Sequence, residues 1–302
     1  MSHASAPRRP DRPLQGVLWM LATGLNFVAV TGIVRYLGTD LPAAQSAFIR
    51  FAFGLAFLAP TLVLTLRRGF APSALGMFAA RGALHTAAVI LWFYAMARIP
   101  VAEVTAIGFL NPIVVTLGAA LLFGERLAAR RLIAIGVAVV GALIVLRPGL
   151  RVIEPGHWSQ LGAALSFGLS YLIAKRLSEI APAGVVVAMM ALTVTIGLAP
   201  FALWVWVPVS LVQVAWLGLV AVFGTAGHYC MTRAFACAPM AVTQPVTFLQ
   251  LVWATLLGAL VFGEAVDPWV MLGGALIIGA ISYITWREAQ LKRRTTPAVV
   301  SG

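Results

Sequence analysis

Long apolar stretches run along almost the whole chain, separated by short segments that contain proline, glycine or charged residues. The hydrocarbon core of a bilayer is about 30 Å thick, so a helix needs roughly 20 apolar residues to cross it. The pattern predicts ten spans, at residues 14–34, 42–66, 73–97, 100–123, 130–147, 157–177, 182–207, 210–233, 240–262 and 268–286. We therefore expect an all-α integral membrane protein with ten transmembrane helices and no separate soluble domain.

Composition narrows the class of protein further. Of the 302 residues, 61% are hydrophobic and 10% are charged, whereas a typical soluble domain carries about 25% charged residues. This excludes an ordinary soluble enzyme. The net charge of +12 would suit a nucleic-acid-binding protein, but such proteins keep a polar surface. We therefore expect the lipid bilayer, and no nucleic acid, as a partner.

The basic residues also orient the predicted spans. If the N-terminus is cytoplasmic, most of the 21 lysines and arginines fall on the cytoplasmic side, and the opposite loops hold only Arg35, Arg98, Arg147 and Arg151. Lysine and arginine are enriched in the cytoplasmic loops of membrane proteins. We therefore expect a multi-pass protein of the cell inner membrane, with both termini in the cytoplasm.

The second half of the chain repeats part of the first. Residues 94–125 and 233–264 align without a gap, and both segments end in Phe-Gly-Glu. From this repeat we infer two units of five spans, at residues 14–147 and 157–286. Cytoplasmic tails at residues 1–13 and 287–302 flank the two units. Because five is odd, the two units cross the membrane in opposite senses. Inverted repeats of this kind are characteristic of alternating-access carriers.

The repeated motifs resemble a known family. The segments concerned are Tyr94-Ala95-Met96-Ala97, Pro100-Val101-Ala102-Glu103, Asn111-Pro112 and Phe123-Gly124-Glu125-Arg126. They resemble the repeat unit of the drug/metabolite transporter superfamily, and most of all that of its ten-span permeases of the EamA type. The segment from Arg35 to Phe51 is similar to the subgroup that contains S-adenosylmethionine and riboflavin permeases.

The resemblance implies a secondary transporter that moves a small polar or amphipathic metabolite by alternating access, with no cofactor. It implies a central cavity lined by the first four helices of each repeat, and fifth helices (spans five and ten) that lie to the side and can form a homodimer. We expect an exporter of an amino-acid-like, metallophore-like or drug-like solute, coupled to a proton or a counter-substrate. Uptake of a vitamin or cofactor such as riboflavin or S-adenosylmethionine is the alternative.

A membrane-embedded enzyme is a remote alternative. The spans contain one acid and scattered histidines, but no nucleophile–base arrangement and no paired carboxylates. We therefore predict no catalytic residues, and no spacing of side chains indicates a metal site.

Two charged residues in the outer half of the predicted bundle need an explanation. Glu103 is the one acid within a span, and Arg50 lies in span two. At a rise of 1.5 Å per residue, the depths of these two residues from the outer side differ by roughly 7 to 8 Å. Charged side chains in a membrane are functional by default. One interpretation is an Arg50–Glu103 pair that binds a zwitterion or couples transport to a proton. The other is that Glu103 caps a helix start at the interface.

Span three carries a polar stripe. Arg81, His85 and Trp92 lie on one helix face, because they are spaced by four and seven residues. A cation, an imidazole and an aromatic ring suit an anionic or aromatic solute. Alternatively, Arg81 reaches the cytoplasmic headgroups and His85 bonds a neighbouring carbonyl.

Amides and further polar residues complete the predicted substrate site. The alignment of the repeats pairs Asn111 with Gln250 near the middle of the membrane, where both could orient a solute or join helices. Weaker candidates for substrate binding are Asn26, Tyr171, His228, Tyr229 and Gln244. Glu125 and Glu264 end the repeated motif, and we expect them to cap the fifth helices.

Overall fold

The computed structural model describes residues 12–68, 72–111, 113–114, 117–118, 129–150, 152–237, 246 and 249–295. These residues form ten helices and no β-strand. The helices are α1 (Pro13–Leu37), α2 (Ala43–Arg68), α3 (Pro72–Met96), α4 (Val101–Gly108), α5 (Ala129–Leu146), α6 (Pro155–Ile180), α7 (Ala183–Trp204), α8 (Leu211–Cys237), α9 (Leu249–Phe262) and α10 (Pro268–Thr295). The predicted all-helical class is confirmed for this part of the chain.

Five of these helices contain segments long and apolar enough to cross a membrane. The segments are Leu14–Leu37, Ala43–Arg67, Ala74–Met96, Gly184–Trp204 and Leu211–Met231. Three further helices contain shorter apolar segments, at Leu132–Leu146, Leu249–Phe262 and Pro268–Tyr283. Predicted spans four and nine extend into segments outside the described residues, so the count of ten spans stays a prediction.

Prolines mark helix starts and also relate the two halves. Pro13, Pro72, Pro155 and Pro268 are first residues of helices, where a missing N–H costs nothing. Two prolines lie inside helices instead. Pro60 follows the first residue of α2, residue 43, by 17 positions, and Pro200 follows the first residue of α7, residue 183, by the same interval. The second helix of each half thus carries its proline at the same position.

The two halves of the chain are interleaved rather than side by side. Helix α1 packs on α8 and α3 packs on α6, so the first helix of each half contacts the third helix of the other. The second helices, α2 and α7, pack on each other, as do the fourth pair, α4 and α9, and the fifth pair, α5 and α10. Exchanging the halves therefore reproduces the main helix pairs.

Each of the two amide residues paired by the sequence alignment lies against a glycine of the opposite half. Gln250 faces Gly24 on α1, where a Cβ would lie 3.7 Å from the Gln250 Cβ. The Asn111 carbonyl oxygen faces Gly168 on α6 and would lie 3.1 Å from a Cβ there. The two amide residues paired by sequence alignment thus lie against corresponding glycines of the opposite half.

The surface of the bundle is apolar, as a lipid-facing surface should be. Large side chains on the outside include Leu211, Leu260 and Trp204, the last of which is 90% exposed. A soluble monomer rarely exposes apolar patches of this extent. The interior holds a buried apolar cluster around Phe51, Phe93 and neighbouring helices, together with polar residues.

Candidate functional site

Four basic side chains form a line in the interior, which we call the basic ladder: Arg50 on α2, Arg81 and His85 on α3, and His228 on α8. The ring centroids of His85 and His228 are 6.5 Å apart. Arg81 precedes His85 by one helical turn, and the Arg50 guanidinium lies against Gly224, one turn before His228. The two histidines therefore lie between the two arginines, and the two halves of the chain both contribute.

Arg50 is buried, with 7% of its surface exposed. Its Cζ lies 3.9 Å from the centroid of the Phe51 ring. The absence of a side chain at Gly224 makes room for it, because a Cβ there would lie 3.0 Å from both Cζ and Nε of Arg50. Among the described residues, no carboxylate forms an ion pair with Arg50.

Arg81 is equally buried and equally without a described acidic partner. Its Nη1 donates to the Val186 carbonyl at 3.1 Å, and its Nη2 lies 3.2 Å from the Met190 sulfur. Its buried Nε has no hydrogen-bond partner in the described part of the chain. These contacts orient the guanidinium, and no carboxylate among the described side chains compensates its charge.

Aromatic rings surround the ladder, and we call them the aromatic wall: Phe27, Phe51, Trp92, Phe167 and Tyr171. Phe167 meets His85 edge-on at 5.0 Å and Trp92 at 5.8 Å, and it stacks on Tyr171 at 5.9 Å. Phe27 meets His228 at 5.2 Å, and Phe51 meets His85 at 6.1 Å. His85 also exchanges a hydrogen bond with the Ser170 hydroxyl, at 3.1 Å. The site thus holds a guanidinium at each end, two imidazoles between them, and aromatic rings around them.

The other predicted site residues fall in different places. Asn26 is partly buried beside Gly227, but its amide donates to the Ala22 carbonyl of its own helix at 2.7 Å. Asn111 has a buried Oδ1 with no hydrogen-bond partner in the described ranges, which leaves it available to a solute. Gln244 lies outside the described residues.

Tyr229 does not join the site. It is 56% exposed and meets Trp19 edge-on at 6.1 Å on the outer surface of α1 and α8. The assignment of Tyr229 to the substrate site was therefore wrong. Its neighbour His228 points inward because successive residues of a helix are about 100° apart around the axis.

Glu103 does not pair with Arg50. Its Oε2 lies 2.7 Å from His157 Nε2, and both side chains are buried. The Glu154 N–H donates to His157 Nδ1 at 3.0 Å, so Nε2 carries the proton and donates to Glu103. Sequence reasoning missed His157, although the spacing Glu154–x–x–His157 before an apolar run is that of a capping box.

Several polar contacts between the two halves lie at one end of the bundle, the end that the charge pattern predicts to face outward. We call four of them the polar clasp: Glu103–His157, Arg35–Glu264, Arg147–Asp267 and Gln45–Val207. Arg35 Nε donates to Glu264 at 3.0 Å, and Gln45 exchanges two hydrogen bonds with the Val207 backbone, at 2.8 and 3.0 Å. These four contacts join the two halves at this end.

Glu264 corrects another expectation. It does not cap the fifth helix of its half, α10. Instead its Oε2 accepts the Val101 N–H at 2.9 Å and so caps α4 of the first half. Glu125, its counterpart, lies outside the described residues.

The fifth helices of the two halves, α5 and α10, pack against each other through glycines. A Cβ at Gly141 on α5 would lie 2.7 Å from the Gly273 carbonyl oxygen on α10, so only glycine permits this approach. Gly136 and Gly279 face open space.

Comparisons with known proteins assign the chain to a family. Residues 14–147 and 155–286 each match the EamA-like transporter family. The chain is 30% identical over 302 residues to a riboflavin transporter of Rhizobium johnstonii, covering 97% of this chain and 98% of the relative. It is 25% identical over 282 residues to an S-adenosylmethionine uptake transporter of Rickettsia prowazekii, covering 91% and 94%.

A relative named as an exporter and a solved structure are also similar. A pseudopaline exporter of Pseudomonas aeruginosa is 26% identical over 273 residues, covering 88% of this chain and 94% of the relative. One crystal structure shares the fold with a TM-score of 0.59 at 19% identity, covering 93% of this chain and 97% of that one. Both halves of the chain thus match one family, and the protein is a multi-pass membrane transporter of the EamA-like transporter family.

Proposed function

We propose that this protein is a secondary transporter of the cell inner membrane that exports a small polar or amphipathic metabolite by alternating access. The observation that carries the proposal is the placement of the basic ladder and the aromatic wall. Their residues come from α1, α2, α3, α6 and α8, so the two halves of the chain share the site. A solute held there would contact both halves, and movement of one half against the other would change its access.

Alternating access rests on two inverted five-span repeats, which we propose for the whole chain. The exchange of helix pairs between the halves supports this symmetry, since α1–α8 corresponds to α3–α6 and α2–α8 to α3–α7. The polar clasp gives the proposed outer end a closed state. In the opposite state the clasp separates and the cytoplasmic end closes, with both termini in the cytoplasm.

We propose export of an amino-acid-like, metallophore-like or drug-like solute. The similarity to a pseudopaline exporter over most of both chains supports this direction. Uptake of riboflavin or S-adenosylmethionine is the second candidate. A riboflavin transporter and an S-adenosylmethionine uptake transporter are also similar to this chain over most of their lengths. A counter-substrate or a proton supplies the driving force, and Glu103 in the clasp is the proposed proton site.

We further propose that a homodimer forms through α5 and α10. Apolar side chains such as Ile133 and Val140 on α5 and Leu272 on α10 are exposed. Because Gly141 and Gly273 already pack together inside the chain, the dimer would use the outward faces near Gly136 and Gly279.

Metabolite profiling of cells and medium tests direction and solute together. Cells that produce the protein should enrich one metabolite in the medium relative to cells that produce Arg50→Ala at the same membrane abundance. Enrichment inside the cells would establish uptake instead, and identical profiles would contradict transport by this site.

A disulfide across the clasp tests the mechanism. In a background with Cys230→Ser and Cys237→Ser, the Gln45→Cys/Val207→Cys pair should form a crosslink that stops transport, and reductant should restore it. Gln45→Cys alone is the matched control. Transport that continues after complete crosslinking would contradict opening at this end.

A further inference from the structure

We propose that the basic ladder and the aromatic wall select a solute with one anionic group, a carboxylate or a phosphate ester, attached to a planar aromatic ring system. This inference rests on the proposed transport function and names the class of substrate for that same site.

The first argument is charge. Arg50 and Arg81 are both buried, and a buried cation requires an anion or a dense set of hydrogen bonds. Three described acids that could supply an anion are committed elsewhere: Glu103 to His157, Glu264 to Arg35 and Asp267 to Arg147. Among the described acidic side chains, none reaches the ladder, so an anionic solute would complete it.

The second argument is the position of the two arginines along the bundle. Arg50 is the eighth residue of α2 and Arg81 is the tenth residue of α3, which runs in the opposite direction. At 1.5 Å per residue, the two guanidinium-bearing residues differ in depth by roughly 13 Å. The histidine pair lies between them. Arg81 therefore meets a solute from the cytoplasmic side, Arg50 meets it from the outer side, and an anionic group can pass from one to the other.

The third argument is the aromatic wall. Phe167 contacts His85, Trp92 and Tyr171 from one side of the ladder, and Phe27 contacts His228 from another. These contacts are edge-on or stacked arrangements of flat rings. A planar ring system can replace one ring in such contacts, whereas an aliphatic solute would lose the favourable ring geometry.

The charges also favour an anion over other solutes. A sulfonium or ammonium cation would be repelled by both arginines, and a neutral aromatic would leave both uncompensated. An anion moves outward down the inside-negative membrane potential, in agreement with export.

Matched pairs of ligands test the class. Flavin mononucleotide and riboflavin share one ring system and differ by a phosphate, and indole-3-acetate and tryptamine share another and differ in the sign of their charge. Binding to the purified full-length protein is measured by quenching of tryptophan fluorescence. We expect the anionic member of at least one pair to bind at least about tenfold more tightly than its partner, a difference of about 1.4 kcal/mol.

Variants link this preference to the ladder. Arg50→Gln and Arg81→Gln should each remove most of the preference, Arg50→Lys should retain part of it, and Arg98→Gln at the outer end should leave it unchanged. A preference in the flavin pair alone identifies a phosphate ester, and one in the indole pair alone identifies a carboxylate.

Equal binding within both pairs, binding of no member, or a preference that survives both glutamine variants would overturn the proposed class. Such a result, with metabolite export still blocked by the clasp crosslink, would leave the transport function standing. Loss of crosslink-sensitive export, with the binding preference intact, would overturn the transport proposal and not the ligand class.

Discussion

His157 donates a hydrogen bond from Nε2 to Glu103 Oε2 across 2.7 Å and thereby joins the first turn of α6 to the first turn of α4. The Glu154 N–H fixes the tautomer from the other side of the ring. A second proton on His157 would occupy Nδ1 and break the bond from the Glu154 N–H, whereas protonation of Glu103 leaves that bond intact. The pair therefore links a titratable group to the contact between the two halves.

Replacing Glu103 by glutamine should flatten the pH dependence of transport. Glutamine can still accept the bond from His157, but it neither carries a charge nor binds a proton. If a protonated Glu103 weakens the clasp, wild-type transport should vary with pH over the range in which the protein stays folded, and Glu103→Gln should not. Flux into proteoliposomes over this range measures the effect, with Asp40→Asn as the control. A variant with the wild-type pH profile would exclude Glu103 as the proton site.

Removing His157 should destabilise the closed state. His157→Ala leaves a buried Glu103 without this donor and the Glu154 N–H without its acceptor, at a cost of about 1–3 kcal/mol. We expect a lower Tm in detergent and partial recovery in His157→Gln. Combining His157→Ala with Glu103→Gln should cost less than the sum of the single variants, since contacting residues are coupled. Strictly additive losses would show that the two side chains do not interact.

Gly224→Ala should impair transport through Arg50. The new Cβ would lie 3.0 Å from Arg50 Cζ, so the guanidinium must move, and misplacement by about 1 Å can cost up to 100-fold in rate. Gly218→Ala on the same helix is the matched control, because its Cβ would have its nearest neighbour at 4.0 Å. Transport rates at equal membrane abundance should fall at least about tenfold for Gly224→Ala and less than twofold for Gly218→Ala. Equal rates for the two variants would contradict this position of Arg50.

Gly141→Ala should destabilise the contact between α5 and α10 by about 1–3 kcal/mol, the usual cost of overpacking. Gly136→Ala, on the same helix, faces open space within the chain and should not weaken this contact. Thermal unfolding in detergent compares the two. If Gly136→Ala instead converts a dimer to a monomer in size measurements, the outward face of α5 belongs to the proposed dimer interface.

Much of the helical architecture could be predicted from sequence. Apolar run length limits where a chain can cross a bilayer, and each described helix overlaps a predicted span. Arg50, Arg81 and His85 were identifiable for the same reason, since a charged or titratable residue inside an apolar run stands out without reference to any partner. The similarity between residues 94–125 and 233–264 likewise needs only the order of residues along the chain.

The partners of these side chains were decided by tertiary structure. Glu103 meets His157, and Glu264 caps α4 of the other half, because the halves interleave across large separations in sequence. Tyr229 and His228 differ in direction for another reason. A helix in a membrane is apolar toward both lipid and protein, so hydrophobicity alone does not show which side faces inward. The sequence by itself determined the helices and the charges buried among them, whereas the rotation and packing of those helices decided which charges meet.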